Sequence, residues 1–134
     1  MNDQSKPRVL LVGHCMPDAY RLKSAIERFV PDAVVAMIGN SDELDAAVAD
    51  TAAPAADLIL VNRVLDGYFR AAGGIPLIRE LAGVLPQPAP ALMLISDLPD
   101  AQREAEAAGA LPGLGKSDLY SDEARSRITS ALKI

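Results

Sequence analysis

The sequence predicts an α/β fold of the doubly wound class, (βα)5, in which a five-stranded parallel sheet lies between two layers of helices. Two observations support this prediction. Short aliphatic runs alternate along the chain with longer segments in which apolar residues recur at helical spacing. The aliphatic runs lack polar alternation, which is typical of strands that helices cover on both faces. Parallel strands need such helical crossovers, so the order βαβαβαβαβα favours a three-layer αβα sandwich.

The first βα unit combines a buried strand with an amphipathic helix. The run RVLLVG at 8–13 predicts a strand that ends on a glycine. A helix is predicted over 17–30, entered through Pro17 and Asp18, because proline suits the first helical turn and a carboxylate favours the positive end of the helix dipole. Pro31 ends this helix. Its apolar stripe consists of Ala19, Leu22, Ile26 and Phe29.

The second and third strands are aliphatic runs at 33–38 and 58–61. Ser41 is predicted to cap the helix between them, since its hydroxyl can accept from a free N–H of the first turn. The segment AAPAA at 52–56 is predicted to end that helix, because proline removes a backbone donor. A long glycine-containing segment, 64–74, follows the third strand.

The remaining elements follow from the same two periodicities. Three segments with helical spacing are separated by two predicted strands. The first of these strands is an aliphatic run. The second is weak and is recognised mainly by its place in the order of elements. Proline-rich PQPAP leads into the fourth strand, and a glycine ends the helix after it. The predicted elements are helix 75–85, strand 91–96, helix 97–110, strand 111–115 and helix 121–134, the last of which begins at a capping Ser121.

Composition and charge exclude several classes of protein. The 134 residues suit one domain, 1–134, which begins with a polar tail at 1–7. The net charge is −5 and the lysines and arginines are scattered, so no nucleic-acid partner is expected. No apolar run approaches the roughly 18–20 residues that span a membrane, and the polar start is unlike a signal peptide, which predicts a cytoplasmic protein without membrane association. A single cysteine excludes a disulfide framework and a multi-cysteine metal site.

The candidate site lies at the carboxyl edge of the predicted sheet. In open parallel sheets, ligands bind at the carboxyl ends of the strands, near the point where the strand order reverses. Four short segments reach this edge. They are 13–18, 62–67, 96–97 and 116–117.

These segments resemble those of the response-regulator receiver domain, the phosphoryl-accepting module of bacterial two-component signalling. DLILVN places Asn62 where the family has its phosphoacceptor aspartate. ALMLIS places Ser96 at the family's hydroxyl position, and GALPGLGKS places Lys116 at the family's lysine. PDAYRLKSAIE resembles the start of the first helix, so the resemblance covers nearly the whole chain. It implies a flavodoxin-like fold with strand order 2-1-3-4-5.

Departures from the family pattern bear directly on function. A working receiver holds a divalent metal on an acidic pair after the first strand and on the acceptor aspartate. Here the acceptor is replaced by Asn62, and the aromatic residue that moves on activation is replaced by Gly113. The turn after the first strand has no carboxylate before Asp18 and consists of Gly13, His14, Cys15 and Met16.

An asparagine at the acceptor position removes the reaction, because a carboxamide is a poor nucleophile and Mg²⁺ prefers carboxylate ligands. We expect the carbonyl of Asn62 to accept from Lys116 and its amide to donate to a backbone oxygen, which keeps the site neutral. The resemblance and its departures therefore predict a pseudo-receiver with no metal, no cofactor and no enzymatic activity.

The other polar residues at this edge have a structural and a functional interpretation. Lys116 is expected to pair with Asn62 or Asp66 rather than to bind phosphate. His14 and Cys15 are expected to have packing or loop roles, with a metal or redox role as the alternative. The predicted remnant pocket contains Gly13, His14, Cys15, Asp18, Arg63, Asp66, Ser96, Asp97 and Lys116.

The function that the resemblance implies is a non-catalytic interaction module in signal transduction. Its protein partner, or a second copy of the chain in a homodimer, would bind the face formed by the fourth helix, the fifth strand and the last helix. Exposed charges expected on this face are Arg103, Glu106 and Arg127.

Two alternatives stay open at this point. The first is a phosphorelay response regulator that is phosphorylated at the shifted Asp66, with Asp18 and Asp97 close to it. The second is a small-ligand-binding domain. Arg63 could then hold an anion, although solvation is the expected role, and four strand-end glycines would leave room for the ligand: Gly13, Gly67, Gly73 and Gly74.

Overall fold

Five strands form one parallel sheet in the order β2-β1-β3-β4-β5, as the computed structural model shows. The structure describes residues 6–49 and 56–134. The strand order and the helical crossovers confirm the predicted doubly wound fold. The strands are β1 Arg8–Val12, β2 Val34–Ile38, β3 Leu58–Asn62, β4 Ala91–Ile95 and β5 Leu111–Leu114.

Five α-helices cover the two faces of the sheet. They are α1 Met16–Phe29, α2 Ser41–Ala49, α3 Gly74–Val84, α4 Pro99–Ala107 and α5 Asp122–Ala131. α1 and α5 pack on one face around Leu22 and Ile128, and α2, α3 and α4 pack on the other around Leu44, Ile78 and Ala105. Within 6–49 and 56–134, no helix is long and apolar enough to cross a membrane.

The central strand β3 is buried on both faces, as its unbroken aliphatic run predicts. Leu58 and Leu60 belong to the core beneath α1 and α5, whereas Ile59 and Val61 belong to the core beneath α2, α3 and α4. All four are 0% exposed. The strand therefore holds its last residue, Asn62, at a fixed height on the carboxyl edge of the sheet.

The cap of α2 differs from the prediction. α2 is capped by Asn40 rather than Ser41: the Asn40 Oδ1 accepts from the Glu43 N–H at 2.8 Å. Ser41 is already helical, and its hydroxyl accepts instead from the Arg70 N–H at 2.9 Å. The predicted helix-ending segment 52–56 lies almost wholly outside the described residues. The other predicted cap is confirmed, since the Ser121 hydroxyl accepts from the Ala124 N–H at 3.1 Å.

Candidate functional site

Asn62 is one of the few buried polar residues in the described chain, with only 6% of its surface exposed. Its amide nitrogen donates to the carbonyl of Gly13 at 3.0 Å and to the carbonyl of Val64 at 2.7 Å. Both amide hydrogens are therefore used between the end of β1 and the start of the following loop. These two bonds also fix which end of the carboxamide is nitrogen, because carbonyl oxygens can only accept.

The loop after β3, residues 63–73, crosses over the carboxyl end of β1. The Asp66 N–H donates to the Gly13 carbonyl at 2.9 Å. Further along, Tyr68 forms a bridge to the segment after β2, with its N–H donating to Gly39 and its carbonyl accepting from Ser41. Because β1 lies between β2 and β3, a loop that contacts all three ends must pass above β1.

Leu65 closes the space above Gly13. Gly13 has a φ of +76°, and a Cβ built on it would lie 2.6 Å from the Leu65 Cδ2. A carboxylate at this position would therefore meet both backbone strain and a steric clash. The far end of the loop is held by Arg70, whose guanidinium contacts Asp45 at 2.6 Å and Asp42 at 3.7 Å.

Lys116 forms an ion pair with Asp18, and not with Asn62 or Asp66 as predicted. The Lys116 Nζ lies 3.0 Å from the Asp18 Oδ2. The hydrogen bond from Lys116 holds the pKa of Asp18 below its ordinary value, although burial opposes this effect. Arg21 supports the pair by donating to the Lys116 carbonyl at 2.9 Å. The prediction failed because the first turn of α1 brings Asp18 to Lys116, whereas Asp66 is exposed on the loop.

His14 is held as a neutral imidazole. Its Nε2 lies 2.9 Å from the Leu60 carbonyl, so Nε2 carries the proton. Its Nδ1 is buried and has no hydrogen-bond partner among the described residues. Burial lowers the pKa of His14 to about 4; the Leu60 bond opposes that effect and the Lys116 charge adds to it. The second proton that a charged imidazole would carry has no acceptor here.

Cys15, Ser96 and Asp97 each have local partners. The Cys15 thiol makes a hydrogen bond to Asp18 that helps to lower the pKa of that carboxyl, so His14 and Cys15 contact different groups. The Ser96 hydroxyl accepts from the Leu98 N–H at 3.1 Å. Asp97 accepts from the Ser117 N–H at 3.2 Å and hydroxyl at 2.9 Å, which ties it to a 3₁₀ turn at Lys116–Asp118.

The residues at this edge do not fit the divalent metal that a receiver holds. Such a cation needs several oxygen ligands, at least one of them a carboxylate. Here an amide nitrogen lies between the two carbonyls of Gly13 and Val64, and the nearby carboxylate of Asp18 is paired with Lys116. Within the described chain, no group of three His, Cys, Asp or Glu side chains is placed to bind a metal ion.

Three of the four strand-end glycines contact the protein itself rather than leave room for a ligand. A Cβ would lie 2.6 Å from Leu65 at Gly13, 2.1 Å from the Gly39 carbonyl at Gly67, and 2.1 Å from the Asn62 carbonyl at Gly74. The space between β3, β4 and Lys116 amounts to about 230 Å³, whereas Gly73 and Gly74 line an open cleft of about 810 Å³ together with Arg63. These contacts explain Gly13 and Gly67 without a ligand, and the small-ligand alternative stays a prediction.

Asp66 and Arg63 are both exposed, and the ion pair of Lys116 is made with Asp18. Asp18 and Asp97, which were expected near Asp66, contact Lys116 and Ser117 instead. Three residues that matter at this edge were not foreseen: Val64, Leu65 and Gln102. Nothing in the sequence distinguishes them, because each acts through a loop path or a backbone contact that only the folded chain defines.

Comparison with solved structures places the fold among response-regulator receiver domains. The signal receiver domain of a DNA-binding response regulator from Colwellia psychrerythraea 34H matches with a TM-score of 0.76 and 14% identity, covering 96% of this chain and all of that one. A response regulator from Thermotoga maritima matches at 0.73 and 19%, covering 96% and 99%. A Francisella response regulator receiver domain matches at 0.71 and 19%, covering 96% and 98%. No protein-family model and no curated protein matches the chain.

Proposed function

We propose that this chain is a pseudo-receiver, a non-catalytic module that acts in signal transduction by binding another protein. The observation that carries the proposal is the position of the Asn62 amide, which bridges the Gly13 and Val64 carbonyls. A receiver needs a carboxylate nucleophile and a bound cation at that point. This chain has a nitrogen donor there, and Leu65 covers the end of β1.

The first test asks whether the protein takes up phosphate. We expect no mass gain when it is incubated with acetyl phosphate and Mg²⁺, because Asn62 cannot form an acyl phosphate, Asp66 is exposed on its loop and Lys116 is paired with Asp18 instead. Intact mass spectrometry measures the outcome, and a working receiver domain in the same mixture is the positive control. A gain of one phosphoryl group that disappears in Asp66→Asn would establish the phosphorelay alternative instead.

The proposed docking surface consists of α4, β5 and α5. Leu111 on β5 is a large apolar residue that is 42% exposed at the sheet edge. Arg103 and Glu106 are exposed on α4. Arg127, which was expected to be an exposed charge, is half-buried: it donates to the Gly113 carbonyl at 2.5 Å and pairs with Glu123. Its substitution would disturb β5 itself, so it is a poor probe of docking.

The second test measures partner binding through this surface. We expect the double variant Arg103→Ala/Glu106→Ala to lower the capture of any partner retained by the unmodified protein by about tenfold, since each exposed contact contributes about 0.5–1 kcal/mol. Lys23→Ala/Glu27→Ala, which removes an exposed ion pair of α1, is the matched control and should leave capture unchanged. The proposed surface would be contradicted if both double variants lost partner capture to the same extent. It would also be contradicted if neither variant lost any.

A further inference from the structure

The ladder between β4 and β5 contains an irregularity between Leu111 and Leu114, the interval in which Gly113 lies. Met93 pairs with Leu111 and Ile95 with Leu114, so three steps along β5 match two along β4. This is the geometry of a β-bulge, which leaves backbone groups without their regular partners. The Gly113 backbone also approaches β4 closely, since a Cβ there would lie 2.1 Å from the Leu94 carbonyl.

The side chain of Gln102, from α4, completes the interrupted ladder. Its Oε1 accepts from the Gly113 N–H at 3.1 Å. Its Nε2 donates to the Leu94 carbonyl at 2.9 Å and to the Ser96 carbonyl at 3.1 Å. The carboxamide thus takes the place of a peptide unit between the two strands. From the other side, Arg127 of α5 donates to the Gly113 carbonyl, so both helices are tied to one residue of β5.

We propose that Gln102 is a positioning residue that holds α4, β5 and α5 in one conformation, so that the docking surface is permanently in its binding form. This inference rests on the proposed function and concerns how the conformation of the docking surface is controlled. A movable side chain at position 113 would need the volume that the Gln102 amide fills, since a Cβ there lies 2.7 Å from its Oε1. The Gln102 carboxamide therefore occupies the space in which a side chain at position 113 would move.

Amide hydrogen exchange and NMR relaxation of the full chain test this proposal. In Gln102→Met, which keeps the length of the side chain but loses every hydrogen bond, the Gly113 amide should exchange about tenfold faster or more. Signals from residues 99–131 should broaden, whereas those of α2 should not. Gln102→Glu should keep the Gly113 amide protected yet still broaden α4, because a carboxylate can accept from that N–H but cannot donate to the two carbonyls. Glu104→Ala, at an exposed position of α4, is the control on the same helix and should change neither measurement.

The unmodified protein provides a measurement that does not depend on any variant folding. It should give one set of sharp signals over 99–131, unchanged by acetyl phosphate with Mg²⁺. Millisecond exchange in that region without added phosphate would overturn the positioning role of Gln102. A Gly113 amide that is equally protected in Gln102→Met would do the same. Both outcomes would leave the pseudo-receiver proposal intact. A phosphoryl mass gain would instead overturn the proposed function.

Discussion

Replacement of Asn62 by aspartate is expected to lower the free energy of unfolding by about 2–4 kcal/mol at neutral pH, because two hydrogen bonds become repulsive contacts in a buried site. The Asn62 nitrogen lies 3.0 Å from the Gly13 carbonyl and 2.7 Å from the Val64 carbonyl. A carboxylate oxygen at the same point would face two acceptors and have no proton to offer. Urea unfolding of both proteins measures the difference.

The matched control for this variant is Asn40→Asp. It adds the same charge at the same edge of the sheet, but the Asn40 oxygen already accepts from Glu43 and aspartate can do the same. We expect its stability to change by less than about 0.5 kcal/mol. We also expect Asn62→Asp to stay unphosphorylated by acetyl phosphate. Uptake of phosphate by that variant would mean that only the nucleophile separates this site from a working receiver. Full stability of the variant would contradict the role given to the two hydrogen bonds of the Asn62 amide.

Acidification to pH 4.5 is expected to cost the protein about 2 kcal/mol of stability through His14 alone. The pKa of His14 is about 4 in the folded chain against an ordinary value of 6.5. Between those two values, the unfolded chain binds a proton that the folded chain does not, so stability falls as the pH falls. One unit of pKa difference corresponds to about 1.4 kcal/mol. Most of the resulting loss of stability has occurred by pH 4.5, because that pH lies well below the unfolded pKa and close to the folded one.

His14→Gln isolates this contribution. Glutamine can still donate to the Leu60 carbonyl but does not titrate, so the variant should lack the His14 part of the decline between pH 7 and pH 4.5. The pH range of this measurement ends at 4.5 because a second group contributes below it. Lys116 lowers the pKa of Asp18, so the stabilising effect of that carboxylate is lost as the pH falls further. Parallel pH profiles in the two proteins would show that His14 is charged or solvated in the fold.

Most of the fold could be predicted from the sequence because local and global preferences agree. Buried strands such as β3 have unbroken aliphatic runs, and helices such as α1 have a clear apolar stripe. The strand order came from the resemblance, not from periodicity. The cap of α2 was misassigned because Asn40 and Ser41 are both good capping residues, and only the folded loop shows that the Ser41 hydroxyl is used by Arg70.

The site was predictable as a set of positions but not as a set of contacts. Sequence placed Asn62, Ser96 and Lys116 at one edge, since each follows an aliphatic run or its equivalent in the order. It gave the wrong partner for Lys116, because the choice between Asp18 and Asp66 depends on the direction in which a long loop leaves β3. Loop direction is set by distant backbone contacts that leave no local pattern in the sequence.

The path of the loop at 63–73 determines what it would take to build a phosphate-accepting site at Asn62 on this backbone. Substitutions alone would not suffice, since a side chain introduced at Gly13 would meet Leu65 and lie beneath a segment that Tyr68 ties to the residues after β2. An engineer would first have to delete part of that segment, and would thereby lose the Arg70 ion pairs that hold it to α2. Such a site would therefore require a shorter loop first and new side chains second.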